Sequence, residues 1–60
     1  MEHLNDLFLN GGETYTKDEI TNHLSQYMDE EAASNIISEA EKVGFIYLAS
    51  YDDGEEVFVR

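Results

Sequence analysis

The run from Asp29 to Ile46 constrains this chain more than any other stretch. Ala33, Ile36, Ile37, Ala40 and Val43 recur at helical spacing and form one apolar stripe. Asp29 stands at the N-cap position, and Glu30 and Glu31 follow where the helix dipole favours negative charge. Gly44 supplies the left-handed residue that ends a helix, and Phe45 or Ile46 can fold back onto the last turn. A helix with so definite a start, stop and face must find partners for its stripe in the rest of the chain.

Upstream, Met1, Leu4, Leu7 and Phe8 are spaced as one helical face that stops at Asn10-Gly11-Gly12. Thr16-Lys17-Asp18-Glu19 has the form of a capping box, in which the Thr hydroxyl and the Glu carboxylate each take a backbone amide. Ile20, Leu24 and Tyr27 or Met28 then carry a stripe along a second helix, leaving only Met28-Asp29 before the next one. Two capped helices joined so tightly suit a helix-turn-helix.

Downstream, Ile46-Tyr47-Leu48-Ala49-Ser50-Tyr51 is rich in strand formers, and Asp53-Gly54 is a strong signal for a two-residue hairpin turn. Val57-Phe58-Val59 returns as the partner strand. That turn puts Ser50 opposite Val57, Ala49 opposite Phe58 and Leu48 opposite Val59. One face would carry Ile46, Leu48, Val57 and Val59 and meet the helices. The other would carry Tyr47, Tyr51 and Phe58.

The order helix, capped helix, tight turn, helix and hairpin resembles the winged-helix superfamily over almost the whole chain. The resemblance is carried by Thr16-Lys17-Asp18-Glu19-Ile20 with Leu24, by Ile36-Ile37 through Val43-Gly44-Phe45-Ile46, and by Tyr51-Asp52-Asp53-Gly54-Glu55. It implies an α+β fold: a single winged helix-turn-helix domain over residues 1–60, with three helices followed by a two-stranded β-hairpin wing. It also implies a brief strand pairing at Tyr15, just before the second helix. Many winged helices bind DNA through the third helix and a basic wing.

Charge departs from that pattern. The chain has 14 Asp and Glu against three Lys and Arg, for a net charge of −11. The first 28 residues carry five acids and one Lys, and the remainder carries nine acids with Lys42 and Arg60. The half that would touch DNA is therefore the more acidic. The outward stripe of the third helix is Glu31, Ser34, Asn35, Ser38 and Lys42, flanked by Glu30, Glu39 and Glu41, and the wing tip is Asp52-Asp53-Gly54-Glu55-Glu56. DNA affinity rests on cations that neutralise phosphates. This surface repels phosphates and attracts a basic protein.

The expected partner-binding set is Glu30, Glu31, Glu39, Asp52, Asp53, Glu55 and Glu56, with Tyr51 as an apolar anchor among the acids. In size and charge the chain resembles small acidic phage inhibitors, the DNA mimics and anti-CRISPR proteins. That resemblance implies a basic, nucleic-acid-handling host protein as partner and the bacterial cytoplasm as location. The plain alternative is a solubilising surface, although an ordinary one mixes both signs. A second functional reading is a winged-helix regulator that uses Asn35, Ser38 and Lys42 on DNA, aided by dimerisation. Tyr47 and Phe58 fit either an interface or a core beneath the first helix.

Little else suggests chemistry. With no cysteine, the chain has neither disulfides nor thiolate metal sites, and its apolar residues are too dispersed to span a membrane. Met1 leads into polar sequence without the basic and apolar regions of a signal peptide. His3 and His23 lack metal-ligand spacing. The acids around Gly54 lack the alternation of a calcium loop, and Gly11-Gly12 lacks phosphate-loop context. No nucleophilic triad can be assembled, so neither an enzyme, a cofactor nor a small-molecule ligand is expected.

Overall fold

The computed structural model describes residues 2–60. Its elements run α1 (Glu2–Asn10), β1 (Thr14–Thr16), α2 (Lys17–Leu24), α3 (Glu30–Lys42), β2 (Tyr47–Asp52) and β3 (Glu55–Val59). Together they make a small α+β unit of three helices and one antiparallel sheet with strand order β1-β3-β2. The sheet has three strands rather than the expected two. Thr14, Tyr15 and Thr16 pair with Val59, Phe58 and Val57, so the connector before α2 becomes an edge strand.

The local signals act as the sequence indicates. Glu19 N–H donates to Thr16 Oγ1 at 3.2 Å and Thr16 N–H donates to Glu19 Oε1 at 2.9 Å, closing the capping box of α2. Asp29 Oδ1 accepts from Ala32 N–H at 2.8 Å and caps α3. Gly44 takes a φ of +79°, and Phe45 N–H reaches back to the Ala40 carbonyl at 2.8 Å, which turns the chain off α3 and into β2. Asp53 (φ +52°) and Gly54 (φ +80°) form the hairpin turn with both central residues in the left-handed region.

α2 is shorter than its apolar spacing implies. It ends at Leu24, so residues 25–29 separate it from α3 rather than Met28-Asp29 alone. Ser25 Oγ donates to the Asn22 carbonyl at 2.8 Å, and Tyr27 turns aside to stack on His3 with ring centroids 3.7 Å apart. His23 Nε2 donates to the His3 carbonyl at 3.0 Å, which requires the proton on that nitrogen. These contacts dock the start of α1 on the end of α2. Met1, counted above in the apolar face of α1, lies outside the described residues.

The core consists of Leu4, Ile20, Leu24, Ala33, Ile37, Ala40, Ile46 and Phe58, all at most 1% exposed. Leu7, Phe8, Tyr15, Met28, Ile36 and Phe45 pack around it. Two expectations are corrected here. Val43 is 61% exposed, because α3 has reached its C-cap and that position has rotated off the stripe. The hairpin register also shifts at Ala49: Ser50 faces Val57 as expected, but Leu48 faces Phe58 and Tyr47 faces Val59. The extra residue is a bulge, and it reverses which residues share a face. On β3 it is Phe58 that is fully buried while Val57 and Val59 are half-buried, so the Phe58 face meets the helices rather than the Val57/Val59 face.

Candidate functional site

Helix α3 presents to solvent the residues that its sequence pattern placed there. Glu30, Glu31, Ser34, Asn35, Ser38, Glu39, Glu41 and Lys42 are all exposed. Asp52 and Asp53 are exposed on the hairpin, the former at the end of β2 and the latter in the turn. Tyr51 is 65% exposed beside them and pairs across the sheet with Glu56. Five acids of the expected set are thus free to meet a partner, with one tyrosine in reach of the hairpin pair.

Glu55 and Glu56 behave differently, since both are half-buried. Glu55 Oε1 accepts from the Asp18 backbone N–H at 3.1 Å, in the first turn of α2, where unpaired amides and the helix dipole favour a carboxylate. Glu56 Oε1 lies 4.0 Å from Lys17 Nζ. These two acids brace β3 against the start of α2 as well as adding to the negative field. Sequence spacing could not reveal this role, because the bonded residues are 37 positions apart in one case. The capping box at Thr16 marks free amides nearby, and that is the only sequence signal for it.

Electrostatically, the acids have little company. Among the described residues the one ion pair is Lys17–Glu56, between groups exposed enough for the attraction to be weak. Arg60 is occupied elsewhere: its guanidinium donates to Asn5 Oδ1 at 2.6 Å and lies 4.6 Å from the Phe45 ring centroid. Lys42 sits in the last turn of α3, where a cation suits the dipole. Most of the negative charge therefore projects outward uncompensated.

The aromatic cluster expected on one hairpin face is divided. The bulge at Ala49 leaves Tyr47 on the Val57/Val59 side and Tyr51 on the Phe58 side of the sheet. Phe58 is fully buried and belongs to the core, while Tyr47 is exposed.

No group of three or more His, Cys, Asp or Glu able to hold a metal occurs among the described residues. His3 and His23 are used in the α1–α2 contact. A surface groove of about 370 Å³ lies between Phe8, Gly11, Gly12, Glu13, Thr14, Val59 and Arg60, apart from the acidic set. No helix of the described residues is long and apolar enough to cross a membrane. No family model, curated protein or solved structure matches the chain.

Proposed function

We propose that this protein is a winged-helix domain that binds a basic surface of a nucleic-acid-handling protein and occupies the place of nucleic acid there. The order α1-β1-α2-α3-β2-β3, with β1 paired to the last strand of the hairpin, supports the winged-helix reading. The observation that carries the functional reading is the outward face of α3 together with the hairpin tip. Glu30, Glu31, Glu39, Asp52 and Asp53 are exposed there, with Lys42 as the cation on the same helix. A winged helix bound to DNA presents cations on these elements; this chain presents carboxylates, which stand in for phosphates. Long-range attraction accelerates such an association and makes it sensitive to salt. A phage-type inhibitor acting in the bacterial cytoplasm would use this chemistry, and so would a regulatory subunit docked on a basic protein.

The exposed Asn35, Ser38 and Lys42 support a second reading, in which α3 enters DNA directly. The two are separated by affinity capture from nuclease-treated bacterial lysate, with the tagged protein washed at low and then high salt. Competitive mimicry requires a basic nucleic-acid-binding protein that salt releases and added duplex DNA displaces. A variant carrying Glu39→Lys and Asp52→Lys alters two exposed acids outside the helix caps and should lose that partner while keeping its fold. Unchanged capture by this variant at low salt would refute the reading. Direct retention of duplex DNA with no protein partner would favour the regulator.

A further inference from the structure

β2 is an outer strand of the sheet, its neighbour is β3, and all six of its residues are exposed. A strand edge in this condition is a template for pairing with another chain. The two-residue turn fixes which groups are free. The pair flanking the turn, Asp52 and Glu55, exchanges both hydrogen bonds, so the next pair, Tyr51 and Glu56, does not. The N–H and C=O of Tyr51 therefore point away from β3, toward the open edge.

The side chains around that edge select an occupant. Proteins commonly guard exposed edges with lysine, yet residues 47–54 contain no Lys or Arg and include Asp52-Asp53. A second copy of the chain would bring another −11 charge against this edge and is repelled. A cationic strand is attracted. The bulge at Ala49 places Tyr47 and Tyr51 on opposite faces, so an added strand would meet one exposed ring on each side. Lysine and arginine stems pack on such rings, and their charges favour the ring faces.

We infer that the open edge of β2 is a strand-addition site for an extended, Lys/Arg-rich segment of the partner protein, with Tyr51 supplying the backbone hydrogen bonds. This rests on the reading of the acidic surface given above and specifies how one part of it engages.

The test uses two capped octapeptides of one sequence, Lys-Lys-Thr-Thr repeated twice so that lysines fall on both faces of a strand; in the second, alternate backbone nitrogens are methylated. Each is titrated into the isotopically labelled full chain at low salt, following amide chemical shifts and hydrogen exchange. The unmethylated peptide should bind about tenfold more tightly, the effect of the backbone hydrogen bonds that methylation abolishes. It should shift the amides of residues 47–52 and slow exchange at Tyr51. A chemically synthesised chain with N-methylated Tyr51 should bind both peptides equally. Equal binding of both by the unmodified chain, with shifts spread over Glu30, Glu31 and Glu39, would overturn the edge site and leave the acidic-surface reading standing. No binding of either peptide would overturn both. Protection of the Tyr51 amide by self-association of the free protein would assign the edge to a second copy and overturn the inference.

Discussion

Replacing Gly11 with alanine tests whether the α1–β1 connector lies under Tyr15. The Tyr15 hydroxyl accepts from Gly12 N–H at 2.6 Å and donates to the Leu7 carbonyl at 3.3 Å, while its ring meets Phe8 edge-on at 5.1 Å. A Cβ on Gly11 would collide with that hydroxyl, lie 2.9 Å from Cζ and stand 3.0 Å from the Leu7 carbonyl. To admit it the tyrosine must swing away. Losing two hydrogen bonds and the ring contact costs about 3 kcal/mol. Alanine recovers about 0.4–1 kcal/mol by restricting the unfolded chain. The net loss is then about 2 kcal/mol, or roughly 8–16 °C in Tm for a chain of this size.

Tyr15→Phe alone should cost about 1–2 kcal/mol through its lost hydrogen bonds. In that background Gly11→Ala meets no hydroxyl and should cost only about 1 kcal/mol, leaving a coupling of about 1 kcal/mol. Urea titrations of the four chains, followed by circular dichroism, measure the cycle. If Gly11→Ala proves neutral or stabilising beside an intact Tyr15, the close approach is absent in solution and the account of the connector is wrong.

Three further outcomes are expected. Thr16→Ala removes the hydroxyl half of the capping box and should cost about 1 kcal/mol in urea unfolding; no change would mean that Glu19 and Glu55 alone satisfy the start of α2. Raising NaCl should raise Tm, because the folded chain concentrates a net charge of −11 and salt screens its self-repulsion; a falling Tm would mean that ion pairing outweighs repulsion. Gly44→Ala should destabilise by about 1 kcal/mol because it forces a side chain onto a φ of +79°, whereas the neighbouring Val43→Ser, at an exposed site, should stay within about 0.5 kcal/mol. Thermal melts of these two variants distinguish a backbone requirement at the exit of α3 from a packing one.

What the sequence conveyed was local. The capping box at Thr16, the cap at Asp29, the exit at Gly44 and the turn at Asp53-Gly54 each depend on residues within a few positions, and each is present. The outward stripe of α3 also follows from helical spacing alone. The third strand was legible only through family resemblance, because three residues at Thr14–Thr16 carry no mark of their partner at Val57–Val59. The bulge at Ala49 has no glycine or proline to signal it. Its consequence is large: it put Leu48 rather than Ala49 opposite Phe58 and parted the two tyrosines. Tyr27 continues the spacing of α2, but its ring is better used against His3. In the candidate site, exposure was legible, whereas the bracing contacts of Glu55 and Glu56 required tertiary structure.

The pairing of β1 with β3 shapes how this chain would reach its fold. α3 and the β2–β3 hairpin close on neighbours in sequence, but Thr16 must find Val57 across most of the chain. Loop-closure entropy must be met before that ladder returns any energy. Formation of the β1–β3 ladder is therefore expected late, after the hairpin has provided an edge to receive it. Substitutions in β1, or at the Glu55–Asp18 contact, should then accelerate unfolding and leave the refolding rate nearly unchanged, whereas those in the hairpin turn should slow refolding.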